Sequence, residues 1–398
     1  MSAEFPVDAP AAEERLMRYV SIEGITGEEA AIAGAIVAEL KAIGVPADAI
    51  RFDSANTRIP LATQTGNLIV DLPGTRAGPR LLFSTHLDTV PLCAGVKPHR
   101  EGDRILSDGT TALGGDNRTG CAVLVTLVET LLRHNLPHPP LTLLFTVREE
   151  SGLHGARELD PADLGGATMA FNFDGKLASN LVIGAVGQEN WEAEIFGRAA
   201  HAGVAPERGI SATLVGAVAL QKAFEAGWFG KVVKDDGYGT SNVGIFGGRN
   251  GKPAGDATNV VTDYAYLRGE ARSPDAAFAT RIALGFEEAF ARAKAEVSAA
   301  DGGTAKVVYS HRPSYPPFQL DETGAVLAHA RKAAEALGLE PVTVLSNGGL
   351  DANWLVRHGV PTVTIGAGQN EVHTVNEYVD LAEFVRGCRL AVALATLA

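Results

Sequence analysis

The sequence predicts an α/β chain, a sheet covered on both faces by helices and interrupted by an inserted α+β unit. Three observations carry this. Short apolar runs alternate with helical stretches towards both ends of the chain. The middle changes to a β-α-β-β-α-β order, the pattern of a ferredoxin-like split unit. Hydrophobic content of 46% with 20% charged residues, over 398 residues, fits a globular chain of two or three domains and excludes wholesale disorder.

The expected strands of the α/β part are Asn67–Asp71, Arg80–Ser84, Leu141–Val147, Thr168–Phe173 and Pro361–Ile365. Each is a short apolar run of strand length. The expected helices are Glu13–Val20, Glu28–Ile43, Arg118–Arg133, Glu322–Leu337 and Asp351–His358, where apolar residues recur at helical spacing. Strand order and direction cannot be read from this pattern. In the middle, Asn190–Phe196 alternates as a strand and Arg208–Phe224 has helical spacing. Ser241–Phe246 and Val260–Ala271 read as two strands joined by the polar, Gly-rich loop Gly247–Ala257. Pro274–Val297 reads as a long helix and Ala305–Tyr309 as the last strand. Residues 185–312 are therefore expected to form an inserted domain, and 1–184 with 313–398 the domain that receives it.

The formal charge of −13 argues against a nucleic-acid partner, which needs clustered Lys and Arg. Three cysteines, Cys93, Cys121 and Cys388, form no CxxC pair, and an odd number excludes a full disulfide framework. The segment MSAEFPVDAPAAEERL lacks a basic stretch followed by an apolar one, so no signal peptide is expected. The most apolar run, Cys121–Leu132, is broken by Glu129 and is shorter than the ~20 residues that span a bilayer. A cytoplasmic protein without a membrane partner is expected.

Five short segments could carry chemistry. In Ser84–Pro91 (STHLDTVP), His86 and Asp88 are two apart. An Asp beside a His can hold the tautomer that leaves the other ring nitrogen free for a metal, although a solvated strand-end pair reads the same way. Leu113–Gly120 (LGGDNRTG) opens a helix. Taken alone, helix capping explains Asp116, while the two glycines before it permit a close backbone approach. Val147–Gly152 (VREESG) ends a strand with Glu149 and Glu150. This is either a solvated acidic turn or a division of labour, one carboxylate on a metal and the other off it as a general base. Asp174 closes the strand in FNFDG, and His373 follows another strand in GQNEVHT.

The set weighs more than its members. Four of the five segments fall at or just after the carboxyl end of an expected strand, where open α/β sheets bind ligands. Two His and three carboxylates there form a mixed N/O donor set, suited to an open catalytic site for two divalent metals.

In the order HLDTVP, GGDN, REESG, FNFDG and EVHTVNE, these motifs resemble the zinc-dependent M20 metallopeptidases. FNFDG and Ser346–Asn353 (SNGGLDAN) are similar to the peptidase T-like branch, the tripeptide aminopeptidases. The resemblance spans nearly the whole chain. It implies a metallopeptidase domain with a central mixed sheet flanked by helices, and an inserted ferredoxin-like lid or dimerisation domain. It implies two zinc ions, with cobalt or manganese as substitutes, held by His86, Asp116, Glu150, Asp174 and His373. Asp116 would bridge the ions, Glu149 would be the general base, and Asp88 would orient His86. His201 of the inserted domain would stabilise the oxyanion, often across a dimer interface, and Asn259 and Arg272 would hold a substrate carboxylate or carbonyl. The activity implied is hydrolysis of an amide bond in short peptides by an aminopeptidase or tripeptidase, in a homodimer formed through the inserted domain. An N-acyl-amino-acid amidohydrolase or a carboxypeptidase, acting on an acyl-amino acid or peptide, uses the same core. Two segments differ from the tripeptidase pattern. The first is AAHAGVAPERG around His201, and the second is SNGGLDAN in place of a Gly-Gly-Thr-Asp element.

Other classes fit less well. Gly247–Pro253 is one residue short of a phosphate-binding GxxxxGK, and Pro253 stands where Ser or Thr would hold magnesium. A catalytically dead binding module would show a lost ligand or base, and none is missing. His99 and His154 have no partner at useful spacing, His134 and His138 sit in a polar, Pro-rich connector and His329 on a helix face, and these, with His311 and His358, are expected to be solvated or locally bonded.

Overall fold

The computed structural model describes residues 5–397, so residues 1–4 and 398 of the expected receiving domain lie outside the described residues. The chain divides into two compact units, one running to Ala185 and resuming at Gln319, the other Val186–Phe318.

The first unit is built on a mixed sheet. Its strands lie in the order Ile50–Phe52, Leu68–Leu72, Leu141–Thr146, Leu81–His86, Met169–Phe173, Thr362–Ile365 and Asn180–Ala185, with Val342–Ser346 beside the last. The four strands in the centre, 141–146, 81–86, 169–173 and 362–365, are parallel neighbours. Their carboxyl ends therefore share one edge, while Leu68–Leu72 and Asn180–Ala185 run antiparallel on either side. The central strands are apolar on both faces (Leu81, Leu82 and Phe83 are all buried) because helices cover the sheet from both sides.

The helices of this unit are Ala9–Val20, Ala30–Ala42, Gly115–Arg133, Ala325–Ala336, Asp351–Arg357 and Leu381–Thr396, besides a single turn at His154–Arg157. Gly115–Arg133 is the central one, buried along most of its length between the sheet and Leu381–Thr396. Gly120 lets it approach closely. A Cβ there would sit 2.1 Å from Thr85 Oγ1 and 2.4 Å from the Phe173 carbonyl, on the two strands that end in His86 and before Asp174. The helix Leu381–Thr396 was not expected from the sequence. Its last half, Leu390–Ala395, is apolar all round and wholly buried, so the amphipathic stripe begun by Leu381, Phe384 and Cys388 does not continue through it.

The second unit is an antiparallel sheet in the order Gly230–Lys234, Gly237–Gly247, Tyr264–Ser273, Gly187–Phe196 and Lys306–Tyr315. Two helices, Ala212–Glu225 and Ala276–Glu296, pack against each other and against it. Trp191, stacked on Phe286 with ring centroids 4.6 Å apart, centres a separate core. The ferredoxin-like order holds, with one added strand, Gly230–Lys234, forming a hairpin with its successor. The last strand runs on to Tyr315. Residues 260–263, expected as strand, lie before the start of the strand Tyr264–Ser273. Val260 there makes only an isolated bridge to His201.

Candidate active site

The shared carboxyl edge of the four parallel strands gathers the acidic and histidine side chains. His86 is the last residue of its strand. Glu149 and Glu150 follow Leu141–Thr146, Asp174 follows Met169–Phe173, and His373 lies in the segment after Thr362–Ile365. His86 Nε2 lies 3.1 Å from Asp116 Oδ1 and 3.9 Å from Asp174 Oδ1. His373 Nε2 lies 3.2 Å from Asp116 Oδ2 and 3.0 Å from Glu150 Oε2. His86, Asp116 and Asp174 form one group whose donor atoms lie within 4.8 Å of one another, and Asp116, Glu150 and His373 form a second. Asp116 belongs to both, one carboxylate oxygen to each side. Glu149 is buried and belongs to neither.

Asp116 is not a helix cap. The cap position is Gly114, at φ 79°, and Asp116 departs from helical angles (φ −83°, ψ 102°), which turns its carboxylate to the two histidines. Asp88 also differs from the simple strand picture. The strand ends at His86, and His86 Nδ1 meets the Asp88 carbonyl at 3.0 Å, nearer than its carboxylate at 3.4 Å. Donation from Nδ1 to that carbonyl leaves the Nε2 lone pair facing Asp116 and Asp174. The Asp88 carboxylate accepts from the backbone N–H groups of Glu149 at 3.0 Å and Glu150 at 3.1 Å. One buried side chain thus ties the His86 loop to the acidic pair.

The electrostatics are those of a cluster that needs positive charge. Burial raises the Glu149 carboxyl well above the usual range, as do Glu150, Asp174 and Asp351, against the opposing pull of His86. Burial and Asp116 push Glu150 up to about 7, and burial with the same neighbour lifts Asp174 well above its ordinary value. Burial would raise Asp116 too, but its hydrogen bonds to His373 and His86 outweigh this and lower it. Those to Asp116 and Glu150 raise half-exposed His373 to about 10. For His86, burial pulls the imidazolium down, and the hydrogen bonds to Asp116 and Asp88 win and raise it well above its usual value. Carboxylates in this excess, sharing Asp116 and facing imidazole nitrogens of fixed orientation, fit divalent cations bound by N and O donors.

Two buried carboxylates were not singled out from the sequence. Glu377, 1% exposed, accepts from Leu113 N–H and Gly114 N–H at 2.9 Å and from Asp116 N–H at 3.0 Å. It holds the loop that presents Asp116. Its signal was present, at the end of EVHTVNE and four residues after His373, but nothing local says which backbone it meets. Asp351, in SNGGLDAN, accepts from the Thr146 hydroxyl, and its Oδ1 is buried without a partner. Outer-shell partners of this kind typically govern metal affinity or activity by ~10–100-fold. Glu377→Ala is expected to weaken metal binding or turnover by that factor, read by metal titration and kcat. An unchanged variant would make Glu377 a loop anchor with no bearing on the site.

An open pocket of about 440 Å³ lies over the cluster, walled by Glu149, Lys176, Leu350, Asn370 and Glu371 besides the acidic groups. Its size suits a small ligand or short peptide. In the second unit, His201 and Asn259 are neighbours, since Ala202 N–H donates to the Asn259 carbonyl at 2.9 Å. Arg272 lies at the opposite end of the same sheet, paired with Gln188, whereas Tyr264 pairs with Phe196 at the His201 end. At ~3.3 Å per strand residue, the separation is about 26 Å. Arg272 is bound to Glu270 through Nε at 2.8 Å and a terminal nitrogen at 3.0 Å.

A mixed sheet carrying two carboxylate–histidine groups that share one aspartate defines a metal-dependent hydrolase. The sequence model of the peptidase family M20/M25/M40 matches residues 82–397, and the chain belongs to that family. The chain is 34% identical to the uncharacterized protein YqjE of Bacillus subtilis (strain 168), covering 96% of each. It superposes on the crystal structure of aminopeptidase PepT from Bacillus cereus ATCC 10987 with TM-score 0.82 and 32% identity, over 98% of each chain. A tripeptidase from Staphylococcus aureus subsp. aureus Mu50 gives TM-score 0.85 and 29% identity, again over 98% of each. Within the family the chain is a peptidase T-like metallopeptidase. Among the described residues no helix is long and apolar enough to cross a membrane.

Proposed function

We propose that this chain is an aminopeptidase or tripeptidase that removes the N-terminal residue of short free peptides with two zinc ions. The observation that carries the reading is Asp116, shared between two donor groups, with Glu149 beside them but outside both. His86, Asp116 and Asp174 would hold one ion, and Asp116, Glu150 and His373 the other. Bound there, zinc would acidify water towards neutral pH and polarise the scissile carbonyl. Glu149 takes the proton from the attacking water and returns it to the leaving amine. Asp88 fixes the His86 loop and the Glu149–Glu150 backbone.

His201 is the oxyanion donor in this reading. Its Nδ1 accepts from Gly203 N–H at 3.1 Å, which leaves Nε2–H free to donate. Asn259 and Arg272 hold substrate. Their separation from each other within one unit supports a homodimer through the inserted domain, residues 185–312, in which two copies contribute to each site. Cys93, Cys121 and Cys388 are all buried as free cysteines, which supports a cytoplasmic location.

The test compares one free tripeptide with its N-acetylated copy, with zinc or cobalt added and a chelator control. Only the free peptide is expected to be cleaved, with activity lost to chelator and restored by zinc. Preference for the blocked peptide would move the assignment to an N-acyl-amino-acid amidohydrolase or a carboxypeptidase, which product analysis separates.

A further inference from the structure

Glu29 stands immediately before the helix Ala30–Ala42, yet its side chain does not cap that helix. The carboxyl group is buried and turns instead to the loop that follows Leu141–Thr146. Its Oε1 accepts from Gly27 N–H at 2.7 Å and, far along the chain, from Arg148 N–H at 3.1 Å. Its Oε2 is buried without a partner among the described residues. Asp88 takes the next two donors, Glu149 N–H and Glu150 N–H, at 3.0 and 3.1 Å. Successive backbone N–H groups of residues 148, 149 and 150 are thus each held by a buried carboxyl oxygen. The Arg148 guanidinium takes no part in this, being bound to Thr63, Ala62 and Ser151. Arg148 itself is the residue that needs holding. It adopts φ 53°, a left-handed conformation that a side chain with a Cβ rarely takes. In an extended strand, Glu149 and Glu150 would point to opposite faces. Here both line one pocket, Glu150 inside a donor group and Glu149 outside it. The left-handed turn at Arg148 permits this, because it takes the chain out of extended geometry just before the pair.

We infer that Glu29 is a positioning residue for Glu149: by gripping Arg148 N–H it keeps the turn that aims the base into the pocket. The inference rests on the reading of Glu149 as general base given above. A proton-transfer group must lie within hydrogen-bond reach of its proton, and a shift of ~1 Å caused by a change remote from the chemistry can cost up to ~10²-fold. Glu149 shares a peptide unit with Arg148, and as a base it has no ion to hold its side chain. Glu150 lies one residue further on and would be held by the ion it binds. Loss of the Glu29 grip therefore falls on the base and spares the ligand. What Glu29 supplies is an acceptor at the right reach, and its charge is dispensable. Oε2 has no bond to lose, and burial and the Asp88 carboxylate push the carboxyl up to about 7, against the hydrogen bonds from Gly27 and Arg148.

The test compares the wild-type protein with E29Q, which keeps the reach and drops the charge, and E29D, which keeps the charge and shortens the reach by one methylene. All are loaded with zinc and assayed on whichever N-terminal form of the tripeptide, free or acetylated, is cleaved. E29D is expected to lower kcat by ~10-fold or more at unchanged KM and zinc content, and E29Q to stay within ~3-fold of the wild type. Amide hydrogen exchange on the zinc-free proteins gives a readout apart from activity. Arg148 N–H should exchange faster in E29D and keep its protection in E29Q. In the Glu149→Gln background E29D should cost little further, because the group it positions is gone. A merely structural Glu29 would lower the unfolding temperature in E29D and leave kcat of the folded enzyme unchanged, which would overturn the assignment. So would E29Q as impaired as E29D, zinc lost in step with kcat, or equal losses from E29D with and without Glu149. Normal turnover in Glu149→Gln alone would remove the base, and that failure is told apart from an enzyme that needs Glu149 but is indifferent to E29D.

Discussion

Glu149→Gln is expected to lower kcat by at least ~10²-fold while leaving the bound metal nearly unchanged. The substitution keeps the shape of the side chain and removes its capacity to take a proton. Glu149 stands outside both donor groups, so its loss costs no ligand. Its main chain is pinned by the hydrogen bond from its N–H to Asp88 Oδ1 at 3.0 Å, and Glu150 is pinned in the same way at 3.1 Å, so the neighbouring ligand should not shift. The side chain is buried against Glu150, Asp174 and Asp351, a setting that favours holding a proton over leaving the carboxylate bare. The measurement is kcat on the free tripeptide together with zinc content by elemental analysis. Near-normal turnover would remove Glu149 from the role of base. A parallel loss of zinc and turnover would make it a ligand instead.

Asp116→Ala is expected to abolish detectable turnover and to weaken metal binding at both positions by more than ~100-fold, beyond the range seen for outer-shell partners. The reason is its double membership. Its two carboxylate oxygens face His86 and His373 separately, at 3.1 and 3.2 Å. No other residue of the two groups is shared between them. Titration with zinc should then show both binding steps weakened, whereas loss of a ligand belonging to one group, as in His373→Ala, should weaken one step more than the other. Two undisturbed steps in the Asp116 variant would rule out a bridging carboxylate. Thermal unfolding of the zinc-free variant separates a lost ligand from a lost fold, because Glu377 holds the loop through backbone groups that the substitution keeps.

Much of the architecture was legible because the elements of this chain are locally marked. The central strands are short apolar runs closed by polar residues, and the strand ends in His86 and the carboxylates stand out against them. The insertion was legible because hydrophobic alternation replaces continuous apolar runs at Gly187–Phe196, where one face of the sheet is solvated. The strand Gly230–Lys234 and the helix Leu381–Thr396 were not legible. The first has one buried residue, Val232, and the second has no polar face in its last half.

The sequence by itself determined the alternation of strands and helices, the inserted α+β order, and the presence of two histidines and an acidic set in motifs at strand ends. Residue type and local spacing suffice for these, because a strand's period and the donor atoms of a side chain are local properties. Only the tertiary structure decided which of these groups meet. Leu81–His86 lies between Leu141–Thr146 and Met169–Phe173, and that strand order, set by burial of both sheet faces, brings residues 86, 116, 150, 174 and 373 to one edge. The same packing decided that Asp88 binds the backbone of the acidic pair, that Glu377 carries the Asp116 loop, and that Arg272 lies a sheet's length from His201. Such contacts join residues tens to hundreds of positions apart, and hydrophobic burial with hydrogen-bond satisfaction across the whole unit selects them.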